Sequence, residues 1–365
     1  MAQRVPTAGD VFAEGVDRLK SLYAEGHRIV ISFSAGKDSG VILELAIIAA
    51  TETGRLPVEV VMRDEEIMYP GTYEYAERVA SRSDVISFNW LIAGQPIVNV
   101  FNRADPFWWV FDDRLSSDQW VRTPPLTAIR IPEKNINGMT IPSRFPPAEG
   151  KMLIAVTGIR AQESITRRYS VFAAKGYLTK PNDYGVRLAR PIYDWTDGDV
   201  WKAVRDGGWD YNSAYDTMYR LGVERSRLRI APPTLNADAV ASLAMAQRAW
   251  PQWFERVARR CPGVRLAASF GRRAVSPERR LHETWEATYG RECVDSAPAW
   301  IAERARTEEE EEKAQARRDT DVFRVMLAFS NEEAVLVRSV LGDKPAQTML
   351  DMCKAELTQR AQPAG

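Results

Sequence analysis

The 365-residue sequence is poor in the side chains that metal and redox sites usually need. Its three cysteines, Cys261, Cys293 and Cys353, are far apart and form no Cys-x-x-Cys pair, and its two histidines, His27 and His282, are isolated. An iron–sulfur cluster usually takes four thiolates, which one such chain cannot supply. No zinc site is expected from this inventory either. Each cysteine reads as a small buried hydrophobe. An excess of either charge is also missing: 49 Lys and Arg stand against 49 Asp and Glu. That balance argues against a strongly basic nucleic-acid binder, leaving only a local patch open as a nucleic-acid contact. No apolar run reaches about 18 residues, so no membrane span is expected. Met1 to Asp10 carries no basic-then-apolar leader pattern, which makes the cytoplasm the expected compartment.

What the chain does have is core-forming sequence. Apolar residues make up 45% of it, ample for one large domain with smaller modules. Its organising stretch is Ile29-Val30-Ile31-Ser32-Phe33-Ser34-Ala35-Gly36-Lys37-Asp38-Ser39-Gly40, continued by Val41-Ile42-Leu43-Glu44-Leu45-Ala46. This reads as a buried strand, a loop of small residues and an apolar helix. Small residues let backbone approach a ligand, and amides at a helix N-terminus favour an anion. The stretch is therefore read as a phosphate cradle. It is not a Walker loop, which requires Gly where Ile31 stands and Ser or Thr where Asp38 stands.

Helical spacing of Phe12, Val16, Leu19 and Tyr23 predicts a helix over 9–25, ended by Gly26. A strand over 28–33, a helix over 37–52 and a strand over 58–63 follow. Asp64-Glu65-Glu66 comes next, just past the end of a strand, where ligands of open α/β sheets bind. These acids suit either a ribose hydroxyl or Mg²⁺, or else form a solvated loop before the helix at Thr72. A third strand is expected over 84–92. Residues 93–150 carry Phe107-Trp108-Trp109, Phe111 and Trp120 among many prolines. This insertion is either a satellite core or a substrate-facing aromatic wall. A fourth strand, over 151–157, leads into Gly158-Ile159-Arg160-Ala161-Gln162-Glu163-Ser164-Ile165-Thr166-Arg167-Arg168. Arginines at a strand end suit phosphate or sulfate, and Glu163 suits orienting one of them. In Arg190–Trp201, Thr196 is placed to cap a helix with Asp197 and Asp199 in its first turn, and Trp201 is expected to pack inward.

Residues 236–302 read as helical. The pairs Arg272-Arg273 and Arg279-Arg280 suit a solvated helical face more than a basic patch. The run Glu308–Glu312 reads as an exposed linker. Beyond it a strand over 322–329, a capping box at Ser330-Asn331-Glu332-Glu333 and apolar residues to Leu357 suggest a small module. The expected organisation is an α/β domain over 1–235 holding the insertion 93–150, a helical extension and charged linker over 236–318, and a module over 319–365 that offers a surface for a protein partner.

Ser34-x-Gly36-x-Asp38-Ser39 resembles the pyrophosphate loop (PP-loop) of the adenine nucleotide alpha-hydrolase superfamily. Asp64 with Tyr69-Pro70-Gly71-Thr72 is similar to its second segment, and Gly158-x-Arg160-x-x-Glu163-Ser164-x-x-Arg167 to the pattern of phosphoadenylyl-sulfate (PAPS) reductase-like proteins. Pro191, Asp194-Trp195, Asp199-Val200-Trp201 and the turn at Asn212 and Tyr215 continue the likeness. The Trp-rich piece Trp108–Pro125 and the region Trp253–Phe270 resemble the branch of co-activators of prophage gene expression. The resemblance spans residues 28 to about 290. It implies a doubly wound, mostly parallel α/β sheet and a site for ATP or PAPS built from Ser32, Ser34, Ala35, Gly36, Lys37, Asp38, Ser39, Asp64, Gly158, Arg160, Glu163, Arg167 and Arg168. Lys37, Asp38 and Arg160 would be catalytic, and Asp38 and Asp64 would hold Mg²⁺.

In the pyrophosphatase version the α-phosphorus is attacked, an acceptor is adenylated and pyrophosphate leaves. In the reductase version a thiolate attacks the sulfur of PAPS, using a cysteine in a C-terminal Glu-Cys-Gly-x-His tail that this chain lacks. Glu292-Cys293 shares only two residues with that tail and Cys353 has none of its neighbours. The expected function is thus adenylation of an unidentified acceptor. A non-enzymatic nucleotide-binding regulator and a true reductase are the alternatives.

Overall fold

In the computed structural model, residues 9–94, 96–99, 101, 107–131, 144–182, 185–225, 228–233, 235 and 240–270 are described. The region 319–365, Cys293, Cys353, His282, the arginine pairs at 272–280 and the glutamate run lie outside them. The chain divides into two compact units, one of residues 1–95 and 111–232, the other of residues 96–110 and 233–365.

The first unit is built on a six-stranded parallel sheet. Its strands are β1 (Arg28–Ser32), β2 (Val58–Arg63), β3 (Ile86–Ala93), β6 (Ile129–Ile131), β7 (Leu153–Val156) and β8 (Val186–Ala189). Their order is β6-β3-β2-β1-β7-β8, and every pairing is parallel. The β1, β2 and β7 sequences are nearly continuous apolar runs, as strands covered on both faces require. From β1 the chain first builds outward through β2 and β3, and later returns to add β7 on the other side. The ends of β1 and β7 therefore form a switch point, where open α/β sheets bind ligands. One face of the sheet packs Val30, Val61, Leu91, Leu153, Ala155 and Val186 with Phe145 and Ile131.

Helix α1 (Val11–Ala24) starts where the Asp10 carboxylate accepts the Phe12 amide at 3.0 Å, the usual way an Asp satisfies a first-turn donor. It packs along α2 (Lys37–Thr53). In α2, Val41, Ile42, Leu43, Leu45, Ala46, Ala49 and Ala50 are fully buried, so the helix is covered on more than one side. Gly54, in the left-handed region at φ 66°, ends it. The strands β6 and β8 were not expected from the sequence. Both are short edge strands, and β8 (Val-Arg-Leu-Ala) lacks the long apolar run of its neighbours.

Trp195 is almost wholly buried, and its indole N–H donates to the Val11 carbonyl at 2.9 Å. Beside it, Asp194 accepts two bonds from the Arg18 guanidinium at 2.9 and 2.7 Å, and Arg18 also donates to the Pro191 carbonyl at 2.6 Å. These bonds tie α1 to the segment after β8. Trp201 corrects the expectation that it packs inward: it is only partly buried, on α5 (Asp197–Gly207), following α3 (Thr72–Ala80) and α4 (Ile165–Ala174).

In the second unit, β4 (Pro96–Val98) and β5 (Phe107–Trp109) form an antiparallel pair. Helices α7 (Val240–Ala249), α8 (Pro251–Arg260) and α9 (Val264–Phe270) bury Leu243, Trp253, Phe254, Val257, Cys261 and Val264. Arg260 donates to the Trp109 carbonyl and lies 5.4 Å from the Trp108 ring centroid. The stretch expected as one insertion is thus divided: 96–110 belongs with these helices, and 111–131 belongs to the sheet unit. Among the described residues, no helix is long and apolar enough to cross a membrane.

Removing one partner of a buried ion pair strands the other charge. Asp194→Ala is expected to cost about 3–5 kcal/mol of unfolding free energy, read as a lower urea midpoint. An unchanged midpoint would show that the Arg18–Asp194 pair does not hold α1 in place.

Candidate functional site at the β1 and β7 strand ends

The loop after β1 is held in shape by side chains. Ala35 sits in the left-handed region at φ 55°, uncommon for a residue with a Cβ. Its carbonyl accepts from Asn212 Nδ2 at 3.2 Å, and the same amide donates to Thr72 Oγ1 at 3.0 Å. The Ser39 hydroxyl takes the amides of Ser34 and Gly36 at 3.2 and 3.1 Å and donates to the Gly36 carbonyl at 3.0 Å. Tyr215, on α6 (Ala214–Arg220), accepts the Lys37 amide at 3.0 Å. Burial pushes the Tyr215 hydroxyl upward in pKa, so it stays protonated and keeps a proton to donate. Several of the amides expected to cradle phosphate are therefore already bonded to Ser39 and Tyr215. Asp38 and Ser39 lie in the first turn of α2, where the helix itself offers no acceptor.

The end of β7 presses against this loop. A Cβ on Gly158 would lie 2.8 Å from the Asp38 carbonyl carbon and 2.9 Å from its oxygen. Only glycine permits that approach. Beyond it, Arg160 is 3% exposed, and its Nε donates to Asp38 Oδ1 at 2.6 Å. Lys37 Nζ donates to the other Asp38 oxygen at 2.8 Å and lies 3.3 Å from Asp197 Oδ1. Arg160 Nη2 and Arg225 Nε lie 3.7 and 3.3 Å from the same Asp197 carboxylate. Gln162 Oε1 accepts the Asp197 amide at 2.8 Å, which brings the start of α5 to the site. Glu163 accepts the Arg160 amide at 3.0 Å and pairs with Arg167.

A cavity of about 1010 Å³ opens over these groups. Of the residues expected from the sequence, Ser32, Ser34, Gly36, Lys37, Asp38, Ser39, Gly158, Arg160, Glu163 and Arg167 line it. Ala35 is fully buried behind it, and Arg168 is not part of its lining. The structure adds Thr157, Gln162, Asp197, Tyr215, Arg225 and Arg229. The Thr157 hydroxyl is buried without a hydrogen-bond partner among the described residues. Asp197 was read as a helix-capping charge. Its position three residues into a Trp-Thr-Asp turn carried no signal of its neighbours Lys37 and Arg160, which come from distant parts of the chain.

Asp64 lies elsewhere. It is 1% exposed, with Oδ2 accepting from Trp90 Nε1 at 2.8 Å and from Arg122, and Oδ1 accepting the Glu66 amide at 3.0 Å. Burial pushes its carboxyl above the ordinary range, against the pull of Arg122 and of these hydrogen bonds. Glu66, also fully buried, accepts the Phe111 amide at 2.5 Å and the Val121 amide at 3.0 Å. Asp64 and Glu66 are thus part neither of a solvated loop nor of the cavity lining. They bond the returning insertion to the sheet. Among the described residues, no group of three or more His, Cys, Asp or Glu is placed to hold a metal ion.

Residues 28–224 match the family described as phosphoadenosine phosphosulfate reductase domain. A relative from Escherichia coli (strain K12), the uncharacterized protein YbdN, is 28% identical over 224 residues, covering 56% of this chain and 54% of that protein. The chain therefore spans about half the length of this curated relative. Among solved structures, Candida glabrata FMN adenylyltransferase with FMN and the ATP analog AMPCPP is similar at 14% identity and a TM-score of 0.36, over 59% of this chain and 65% of that one. The PAPS reductase from Candida auris, as a phosphate complex, is similar at 13% identity and a TM-score of 0.31, over 63% of this chain and 98% of that one.

Glu66→Gln would turn one amide acceptor into a donor facing a backbone N–H. Loss of charged, buried hydrogen bonds of this kind costs about 1.5–3 kcal/mol. The expected readout is an equal loss of unfolding free energy in urea, with faster amide exchange at Phe111 and Val121. Unchanged exchange there would remove the assigned role of Glu66.

Proposed function

The chain belongs to the phosphoadenosine phosphosulfate reductase domain family, and on that premise we propose that its cavity binds ATP or a closely related adenine nucleotide. We propose further that it cleaves this nucleotide at the α-phosphate, adenylating an acceptor and releasing pyrophosphate. The observation that carries this reading is the gathering of Lys37, Arg160 and Arg225 around Asp38 and Asp197 over the end of β1. Two carboxylates hold three cations where a polyphosphate would lie, and a cavity of about 1010 Å³ has room for a mononucleotide. The unpartnered Thr157 hydroxyl offers the ligand a further bond.

In the reaction, an acceptor oxygen attacks the α-phosphorus and the bond to the bridging oxygen breaks. The leaving pyrophosphate keeps the electron pair. Lys37 and Arg160 neutralise its growing charge, and a buried guanidinium is worth more there than in water. Asp38 holds both cations in place and is the third catalytic residue of this reading. Mg²⁺ commonly takes one or two carboxylates together with phosphate oxygens. Asp38 and Asp197 line the cavity and would be the carboxylates to meet such an ion there, whereas Asp64 is buried outside the lining. Thiol chemistry draws no support from Cys261, which is fully buried. The sequence likeness of Trp108–Pro125 and Trp253–Phe270 supports placing the chain near the prophage co-activator branch, and residues 319–365 are its proposed partner-binding module.

Titration with ATP, a non-hydrolysable ATP analogue and PAPS, with Mg²⁺ and at two temperatures, tests the reading. ATP is expected to bind, and Arg160→Ala to weaken it roughly tenfold to a hundredfold, the equivalent of one charged hydrogen bond. Absence of heat with every nucleotide would overturn the proposal. Tight binding with ATP left intact beside candidate acceptors would favour a nucleotide-binding regulator.

A further inference from the structure

A second depression, of about 480 Å³, adjoins the nucleotide cavity. Gly198, Tyr215, Arg225 and Leu228 line both. The remaining wall comes from α5, α6 and the turn between them, and carries the rings of Trp201, Tyr211 and Tyr219 beside charged side chains. Trp201 stands perpendicular to Tyr211 at 5.6 Å and to Tyr215 at 5.4 Å between ring centroids. Tyr219 is 67% exposed. A folded chain gains by covering aromatic surface, at about 25 cal/mol per Å². Here several rings instead face one concavity, the usual composition of a small-molecule site.

The charged groups of the pocket are Lys202, Arg205, Arg225 and Asp216. Among the described residues, Lys202 and Arg205 form ion pairs only with Asp206 on the same helix. Asp206 is exposed, and such surface pairs are worth little, so an incoming anion competes for both cations at small cost. Asp216 accepts from the Tyr211 hydroxyl at 3.1 Å. Among the four charged groups that line the pocket, cations outnumber the single acid.

We propose that this pocket is the acceptor site, and that the acceptor is a planar aromatic molecule carrying a carboxylate or a phosphate. The proposal rests on the adenylation reading above. Its ring would stack against Trp201 and Tyr219, and its anionic group would meet Lys202, Arg205 and Arg225. An oxygen of that group attacks the α-phosphorus, one O–P bond forms, the bond to the bridging oxygen breaks, and pyrophosphate leaves with the electron pair. The product is a mixed anhydride from a carboxylate or a phosphoanhydride from a phosphate, with no change of oxidation state. Tyr215 joins the two sites, since its hydroxyl accepts the Lys37 amide while its ring lines the pocket.

Calorimetric titration of the full chain, with and without the non-hydrolysable ATP analogue, tests this. The probes are naphthalene-2-carboxylate, 2-naphthyl phosphate, cyclohexanecarboxylate and 2-naphthalenemethanol. One or both naphthyl anions are expected to bind at least about tenfold more tightly than the saturated acid and the neutral alcohol. That factor is about 1.4 kcal/mol. The stronger of the two identifies the acceptor as carboxylate or phosphate. Tyr219→Ala is expected to weaken that probe by roughly fivefold to a hundredfold, the range for losing one stacking ring, and Lys202→Ala/Arg205→Ala to weaken it several-fold. Equal binding of the saturated acid, no binding of any probe, or an unchanged affinity in Tyr219→Ala would each overturn the proposal. Failure of the ATP analogue to bind while the naphthyl anions still discriminate would remove the nucleotide reading and leave an aromatic-anion site. Nucleotide binding without ring discrimination would remove the acceptor pocket alone.

Discussion

Two strand ends meet where Gly158 touches the backbone of Asp38, with no room for a Cβ between them. That approach brings the loop after β1 and the arginine segment after β7 into one site. It lets Arg160, in the segment after β7, reach Asp38, in the first turn of α2, at 2.6 Å. A longer side chain at residue 158 would separate the loop from the arginine, and the cavity would lose its charged floor. The sheet order makes this possible, because β1 and β7 are hydrogen-bonded neighbours although more than a hundred residues of chain separate them.

The same economy appears in the way the loop is supported. Asn212 and Tyr215 lie far along the chain, yet they bind the Ala35 carbonyl and the Lys37 amide. A left-handed alanine and a buried lysine are thereby held in one conformation before any ligand arrives. Preorganised donors of this sort cost no rearrangement at the moment of reaction. On the other side of β1, buried Asp64 and Glu66 serve a different end. They satisfy the amides and the guanidinium of the returning insertion, which a buried backbone requires. Acid residues at a strand end thus serve the fold of the insertion after β2, and after β1 they hold Lys37 and Arg160 over the cavity.

The elements that were legible in the sequence are those with a strong local pattern. The apolar runs of β1, β2 and β7, the helix α2 and the cap at Thr196 follow from hydrophobic periodicity and from side chains that satisfy first-turn amides. The two glycine-containing loops, at 34–39 and 158–168, stood out because small residues and arginines follow buried strands. β6 and β8 were not visible, since each is a short edge strand. Asp64 was read toward the ligand because it stands just past a strand end and because Asp64 with Tyr69-Pro70-Gly71-Thr72 resembles the superfamily's second segment. What separates them is the company each keeps: Trp90 and Arg122 around one, Lys37 and Arg160 around the other.

The sequence by itself determined a parallel α/β sheet and the chemistry of two loops, because both are written in contiguous residues. Only the tertiary structure decided which charges share a cavity. Asp197 and Tyr215 reach Lys37 and its loop from segments well over a hundred residues away, and Arg225 joins them through Asp197, and the aromatic pocket forms only where α5 and α6 come together. Proximity between distant segments depends on strand order and packing, which no local pattern of residues encodes.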